Sequence, residues 1–307
     1  MNRLKQLACC YSKTCDKGLI YFRVKSDSIE ILQNPQTFYS KLQKLISQSK
    51  KRVILSSLYI GTGELEENLI NSLHSRLEET KDLRVSILVD YNRGQRLKQK
   101  NDLDSSSKGL LRSLAHKANI YFFLSPAFGS YFKRYFILPI QSVNESLSTQ
   151  HIKCYIGDDD VILSGANLTS EEVNGFYRAD GPKKLIPSIY TQKSRDFLSS
   201  VQKSTANVNF QLYHRKNWTF HAKGFWTHLD DGSYITTIGS SNYACRSVER
   251  DLEMQFLVAT VDKNLIDKLE NERAQLWRFG APIKDQNELP QVPLTARMLS
   301  KTLGNFF

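Results

Sequence analysis

The sequence predicts an α/β protein built from packed layers, with two similar halves. From Arg52 onwards, short runs rich in Val, Ile and Leu alternate with segments whose leucines recur at helical spacing. Strands that alternate with helices usually pair in parallel. A stretch that begins at His151 recurs in part from His221, which indicates a duplicated unit. A chain of 307 residues is long enough for two such halves.

The first half contains three predicted strands separated by helical segments. The runs RVILSSLYI (52–60), RVSILVDY (84–91) and NIYFFL (119–124) are apolar and have the length of strands. Leucines spaced four residues apart predict a helix over 64–79. A helix between two strands usually forms a crossover connection that joins parallel strands. We therefore expect the first strands of the sheet to run in the same direction.

The repeated stretches predict two β-hairpins. In the first, HIKCYIG and DVILSG flank the acidic turn at 158–160. In the second, FHAKGFWTH and YITTIG flank Asp230-Asp231-Gly232, a typical hairpin turn. A further strand is predicted over 253–260 and a further helix over 263–277.

The overall charge favours partners that carry negative charge. The formal net charge is +11 and the sequence pI is about 9.3, which suits nucleic acid, anionic lipid headgroups or phosphorylated small molecules. No apolar run approaches the ~20 residues of a membrane-spanning helix, so we expect any membrane contact to be peripheral. The five cysteines are odd in number and poorly spaced for a disulfide framework or a zinc site, which favours a reducing compartment.

The chemistry of the repeat points to phosphoryl transfer. Each copy combines His-x-Lys with a Gly/Ser cluster that ends in Asn: His151, Lys153 and Asn167 in the first copy, and His221, Lys223 and Asn242 in the second. One neutral imidazole can attack phosphorus, while a second, protonated imidazole assists the leaving group. Lysine and amide N–H groups can stabilise the phosphate oxygens. We therefore expect one site between the halves, with no metal and no cofactor.

The repeat resembles the signature of the phospholipase D superfamily, HxKxxxxD followed by a GSxN-like cluster. Asp158 matches the acid of the first copy, and we expect it to be a structural salt-bridge partner near the site. In the second copy His228 stands in place of the acid, and Ser240 lies in the GSSN cluster that would bind phosphate. The resemblance implies a layered α/β/α fold of two similar halves with mainly parallel mixed sheets.

The resemblance also implies an acid that orients each catalytic imidazole. Glu253, eleven residues after Asn242, fits that role for the second copy. The residue at the same distance after Asn167 is Arg178, which cannot accept a hydrogen bond, so we expect His151 to lack its acid. By resemblance, His151 is the nucleophile and His221 the general acid.

Further segments extend the resemblance to the eukaryotic phosphatidylglycerophosphate synthases, namely SLYIGTGELE, VSILVDYNRG, QHIKCYIGDDDVILSGANLT, WTFHAKGFW and RSVERDLE. This implies transfer of the phosphatidyl group of CDP-diacylglycerol to glycerol 3-phosphate, through a phosphohistidine, towards phosphatidylglycerol and cardiolipin. It also implies peripheral association with the anionic mitochondrial inner membrane. The basic N-terminal segment 1–26 suits a mitochondrial transit segment, although an ordinary solvated N-terminus explains it equally well.

The resemblance is interrupted after Thr169. It resumes with a segment that in the family lies far along the second half, so we expect the end of the first half and the opening strands of the second to be missing. The expected halves are 27–170 and 171–307, the latter incomplete at its start. A gene-model or splice omission, a viable shortened form and a non-catalytic relative all explain the interruption.

Two other functions remain open from the sequence. A phosphodiesterase or nuclease of the same superfamily would suit the basic charge and His228, but the chain has no extended basic and aromatic stripe, which disfavours nucleic acid. A catalytically inactive, membrane-associated protein would suit the mismatch at Arg178.

Overall fold

The described part of the chain forms three β-sheets with helices packed against them. The computed structural model describes residues 20–99, 101–130, 148–169, 185–216, 218 and 220–302. Arg178 and most of the expected N-terminal segment 1–26 lie outside the described residues. The expected junction between the halves, at 170–171, lies outside them as well.

The first sheet has five strands: β1 (Arg52–Ser56), β2 (Arg84–Asp90), β3 (Asn119–Phe123), β4 (Cys154–Gly157) and β5 (Asp160–Leu163). Their order across the sheet is β3-β2-β1-β4-β5. The first three strands are parallel, as predicted, whereas β4 runs antiparallel to β1 and β5 antiparallel to β4. The sheet is mixed because the motif enters it as a hairpin.

Helices cover one face of this sheet: α1 (Pro35–Gln48), α2 (Glu64–Glu79), the short α3 (Tyr91–Gly94) and α4 (Ser107–Leu111). The helix predicted over 64–79 is confirmed. Leu42 of α1 and Leu73 of α2 pack with Val53 and Ile87 of the strands, and all four side chains are fully buried. The other face of the sheet is more open, since Tyr121 is exposed there.

The second half begins with α5 (Leu185–Gln202) and a short strand, β6 (Gln211–Tyr213), and continues as a three-stranded antiparallel sheet: β7 (Phe225–His228), β8 (Tyr234–Gly239) and β9 (Gln255–Thr260). The short helix α6 (Cys245–Glu249) connects β8 to β9, and α7 (Lys263–Trp277) follows β9. The predicted β7–β8 hairpin and the helix over 263–277 are confirmed. Tyr234 of β8 packs with Leu265 and Leu269, so α7 covers one face of this sheet.

The chain ends with β10 (Gly280–Pro282), which pairs with β6, and with α8 (Leu294–Thr302). Ile189 of α5 packs on Val292 and Ala296, and this contact joins the two helices. Within the described residues, no helix has the length and apolar character required to cross a lipid bilayer.

Candidate active site

The two copies of the motif lie side by side. Gly165 belongs to the SGAN cluster of the first copy, and a Cβ atom at this position would lie 3.0 Å from Cδ of Lys223 and 3.7 Å from the carbonyl oxygen of His221. A glycine at this position lets the two backbones approach closely. The cluster of the first copy therefore contacts the His-x-Lys of the second.

The same local contact occurs in both copies. Lys153 donates from Nζ to the carbonyl oxygen of His151 at 2.7 Å, and Lys223 donates to the carbonyl oxygen of His221 at 2.8 Å. The two copies differ in burial, because the histidine of the first copy, His151, is 5% exposed, whereas His221 of the second copy lies at the surface. The repeat is thus preserved in geometry, but its two halves provide different environments.

The acid at Glu253 serves the first copy. The ring Nδ1 of His151 lies 3.0 Å from Oε1 and 3.2 Å from Oε2 of Glu253. The expectation that His151 lacks an orienting acid was wrong, and so was the assignment of Glu253 to His221. The mismatch at Arg178 therefore gives no reason to regard the chain as inactive.

The backbone explains this exchange of partners. The amide of His151 donates to the carbonyl oxygen of Leu252 at 2.8 Å, and the amide of Leu252 donates to that of Thr149 at 2.9 Å. Gln150 and Leu252 form a parallel bridge, so the next residue on each segment is His151 on one and Glu253 on the other. Spacing within one copy cannot reveal a pairing between copies.

Two buried carboxylates, both missed by the sequence analysis, hold these segments together. Asp251 accepts hydrogen bonds from the amide of Thr149 and from Nε of Arg246, each at 2.9 Å. Asp90 accepts from the amide of Gln150 at 3.0 Å, and burial raises the pKa of Asp90. A signal for Asp90 was present, because a carboxylate ends the buried strand β2, an edge where α/β proteins place ligands.

The electrostatics make His151 a neutral base. Burial lowers the pKa of His151 below its usual value of 6.5, and the nearby ammonium groups of Lys153 and Lys223 act in the same direction, against the opposing effect of Glu253. Burial by itself raises the pKa of Glu253, but the hydrogen bonds from His151 and Ser240 bring it below the usual value. A neutral imidazole thus faces a carboxylate.

Ser240 takes a different role from the one expected. It is 1% exposed, and its Oγ donates to Oε2 of Glu253. Its backbone pairs with Met254, through Ser240 N to the Met254 carbonyl oxygen at 3.0 Å. Ser240 therefore orients the carboxylate, and the prediction that it binds phosphate loses its support.

The two asparagines differ in exposure. Asn167 is 7% exposed and follows Gly165 by two residues, in the segment that contacts Lys223. Asn242 lies at the surface, and its backbone N–H donates to Oγ of Ser247 at 3.2 Å. Both remain predicted phosphate ligands, and Asn167 is the more enclosed of the two.

Asp158 lies at the wrong end of its strand for catalysis. It follows β4, and five residues of extended chain, about 16 Å, separate it from Lys153. Its carboxylate accepts the backbone amides of Lys50, Lys51 and Arg52 at 2.8–3.0 Å. These bonds fix the entrance of β1 and lower the pKa of Asp158 to about 2. Asp158 was expected to form a salt bridge near the site. It instead binds three backbone amides at the opposite end of the strands.

Replacing Asp158 with Asn is expected to lower the free energy of unfolding at neutral pH. Because the folded-state pKa of about 2 is below the ordinary 3.8, this stabilisation is present above about pH 4 and lost as the pH falls towards 2. Asn tolerates the left-handed backbone found at Asp158 (φ 50°), so the change isolates the charge. Urea unfolding between pH 2 and 7 measures the effect.

The matched control is Asp159→Asn, since the side chain of Asp159 is fully exposed and lies 3.4 Å from the guanidinium group of Arg52. Equal unfolding free energies for the two variants, or a loss of activity in Asp158→Asn without a loss of stability, would contradict the structural role of Asp158.

His228 also lies away from the site. It ends β7, five residues beyond Lys223, and its Nε2 lies 3.3 Å from Oε1 of Glu270. Its ring packs on Tyr234 with the centroids 4.7 Å apart. The position of His228 contradicts the predicted catalytic role. His228 lies at the turn end of the β7–β8 hairpin, whereas Lys223 lies before the start of β7.

The described residues contain no set of side chains of the kind that binds metal ions in proteins. Among them, no group of three or more His, Cys, Asp or Glu side chains could hold a metal ion.

Comparison with known proteins supports the fold and the ancestry. The structure is similar to that of phosphatidylserine synthase from Haemophilus influenzae Rd KW20, with a TM-score of 0.70, 12% sequence identity, and coverage of 97% of this chain and 96% of that one. The fold is phospholipase D-like. No family model matches the chain.

Curated relatives extend over most of the chain. The human mitochondrial CDP-diacylglycerol–glycerol-3-phosphate 3-phosphatidyltransferase is 24% identical over 472 residues, covering 93% of this chain and 84% of the relative. The Schizosaccharomyces pombe enzyme of the same name is 32% identical over 174 residues, covering 54% of this chain and 34% of the relative. The chain with its phospholipase D-like fold is homologous to these phosphatidyltransferases.

The human alignment is longer than the chain. It spans 472 residues, whereas the chain has 307, so the relative contains long stretches without a counterpart here. This agrees with the expectation that a segment of the family is missing. The phospholipase D-like site nevertheless retains both His-x-Lys pairs and the carboxylate that contacts the first.

Proposed function

We propose that the chain is a phosphatidyltransferase that moves the phosphatidyl group of CDP-diacylglycerol to glycerol 3-phosphate and releases CMP. The observation that carries this proposal is the buried pair of His151 and Glu253, built from both halves next to the second His-x-Lys. The homology to enzymes of that name over 93% of the chain selects this reaction among those a phospholipase D-like site can perform.

In the first step, Nε2 of His151 attacks the phosphorus of the phosphatidyl group. The hydrogen bond from Nδ1–H of His151 to Glu253 leaves the lone pair on Nε2, and the lowered pKa keeps this nitrogen unprotonated at neutral pH. A nitrogen–phosphorus bond forms, and the bond from phosphorus to the oxygen of CMP breaks. Glu253 stabilises the positive charge that develops on the imidazole.

In the second step, the hydroxyl group of glycerol 3-phosphate attacks the phosphatidyl-histidine. His221 accepts the hydroxyl proton, the new oxygen–phosphorus bond forms, and the nitrogen–phosphorus bond breaks to restore His151. The exposure of His221 suits this task, because the acceptor has to enter from solvent. The covalent intermediate divides one displacement into two, because His151 attacks in the first and departs in the second. His221, the general acid by resemblance, serves here as the base of the second step.

The phosphate oxygens require positive charge in both steps. Lys153 donates to the carbonyl oxygen of His151, and Lys223 lies against Gly165 of the first copy. These contacts support a position of both ammonium groups near the attacked phosphorus. Asn167 and Asn242 supply amide N–H groups on either side of the same junction. These four side chains would stabilise the equatorial oxygens as charge shifts during transfer.

The same proposal extends to substrates, membrane and compartment. The donor is a lipid, and a chain with a net charge of +11 is attracted to an anionic bilayer surface, so we place the protein at the surface of the mitochondrial inner membrane. The mitochondrial names of the mammalian relatives support that compartment. The halves 27–170 and 171–307 would each supply one His-x-Lys.

The deciding experiment measures CMP release from CDP-dioleoylglycerol in detergent micelles, with and without glycerol 3-phosphate. Sustained release that depends on glycerol 3-phosphate is expected from the parent and from His116→Asn, a control at an exposed histidine outside the site. His151→Asn is expected to release none. Release independent of the acceptor would indicate a hydrolase, and no release from a folded parent would overturn the proposal.

A further inference from the structure

An apolar groove follows the three-stranded sheet of β7, β8 and β9, on the face opposite α7. Its volume is about 500 Å³, and its walls carry no charged residue. The main lining side chains come from all three strands and the loop after β8: Phe225, Thr227, Ile235, Thr237, Tyr243 and Leu257. Successive side chains of a strand point to opposite faces of the sheet. Phe225 and Thr227 of β7 therefore face the groove, whereas Trp226 packs towards α7.

The groove exposes large apolar side chains to solvent. Phe225 is 52% exposed and Leu257 is 47% exposed. Contiguous exposed apolar surface of this kind usually marks a binding site for a lipid, a small molecule or another chain. The groove is therefore a candidate binding site for an apolar group.

The groove opens at the candidate active site. Gly224 lines it and directly follows Lys223, and Tyr243 lines it and directly follows Asn242. Both of the second copy's predicted phosphate-binding side chains thus lie at one end of the groove. From Gly224 to Leu229 the groove runs along five residues of strand, about 16 Å.

Tyr243 is held in place at this opening. Its backbone lies in the left-handed region (φ 56°), which is uncommon for a residue other than glycine. Its hydroxyl group bonds to Oγ1 of Thr237 and accepts from Nε2 of Gln255 at 2.9 Å. Strained residues that are fixed by their surroundings concentrate at functional sites. The ring of Tyr243 forms a wall where the phosphate end of the groove begins.

We propose that this groove binds one acyl chain of the lipid donor during the reaction. The inference rests on the proposed function, and it adds where the apolar part of the substrate lies. The occupant has to be apolar along the strands and has to present a phosphoryl group at Lys223, which describes a diacylglycerol phosphate ester. The length of about 16 Å is close to half of the ~30 Å hydrocarbon core of a bilayer, the depth of one leaflet.

The first test compares donors with long and short chains. Leu257→Ser and Phe225→Ser are expected to lower kcat/KM for CDP-dioleoylglycerol at least ~10-fold, because each removes apolar contact with the chain. The same variants are expected to change kcat/KM for CDP-dibutyrylglycerol by less than ~2-fold. Leu103→Ser, at an apolar side chain that is 67% exposed in the first half, is the matched control and should change neither value.

The second test does not depend on turnover. A CDP-diacylglycerol with a photoreactive diazirine near the end of one acyl chain is irradiated with the parent protein, and the labelled peptides are mapped. Label is expected on residues 224–243 and 255–258, and less of it in Leu257→Ser. Label confined to other segments would overturn the inference.

The outcomes separate this inference from the proposed function. If the parent turns over neither donor but the label maps to the groove, lipid binding stands and the transferase proposal fails. If the parent turns over both donors and the groove variants affect both equally or neither, the transferase proposal stands and the groove inference fails. A groove that instead receives a polypeptide segment would show no label and no dependence on chain length, which also overturns it.

Discussion

Replacing Glu253 with Gln is expected to lower kcat by about three to four orders of magnitude, with little change in KM for the lipid donor. The carboxylate accepts the Nδ1–H of His151 at 3.0 Å and so keeps the lone pair on Nε2. A glutamine amide can instead donate to Nδ1, which would place the proton on Nε2 and remove the nucleophile. It also removes the negative charge that stabilises the phosphorylated imidazole.

The pH dependence distinguishes this role from a structural one. In the parent, activity should fall as the pH drops through the pKa of His151, which lies below 6.5. Glu253 raises that pKa, so its removal should move the acidic limb to still lower pH. Glu249→Gln, an exposed residue in α6, is the control and should leave both kcat and the limb unchanged. Loss of activity with an unmoved limb would indicate that Glu253 acts only through folding.

Replacing His221 with Ala is expected to stop the reaction after its first half. The leaving group CMP is a phosphate monoester whose second pKa is about 6, so it departs without a strong acid. The acceptor hydroxyl group, by contrast, needs a base, and general base catalysis contributes about 10²- to 10⁴-fold. The variant should therefore release about one CMP per protein in a burst, and then turn over slowly with phosphatidyl-histidine accumulated.

Rapid quench with radiolabelled CDP-diacylglycerol measures the burst, and peptide mapping locates the covalent label. His151→Ala should give neither the burst nor the label. A label on His221, or a burst in His151→Ala, would reverse the roles assigned to the two imidazoles. The absence of a burst in both variants, with an active parent, would indicate direct displacement without a covalent intermediate.

Much of the fold was predictable because local patterns were strong and consistent. The helix over 64–79 has its leucines on one face and an acidic first turn, and its bounds agree with the structure. The β7–β8 hairpin follows from the Asp-Gly turn. The predicted strand over 52–60 was too long. In the structure β1 ends at Ser56, and Ile60 beyond it forms an isolated bridge with Leu168.

The sequence predicted candidate site residues, but not all of their positions or contacts. Repetition of His-x-Lys identified two imidazoles and two ammonium groups, and spacing identified Glu253 as an orienting acid. Spacing assigned Glu253 to the wrong imidazole, because the bridge between Gln150 and Leu252 joins segments that are distant in sequence. Matching a motif also placed Asp158 and His228 in the site, although a hairpin carries its turn to the opposite end of the sheet.

The pairing of His151 with Glu253 joins two residues that are 102 positions apart in the chain. A ribosome that has completed only the first half has already produced His151, but not the carboxylate that contacts it. In the proposed mechanism, the nascent polypeptide therefore lacks an oriented imidazole until the later half has been synthesised and has folded against the first. A product terminated before Glu253 would therefore contain His151 without its carboxylate partner.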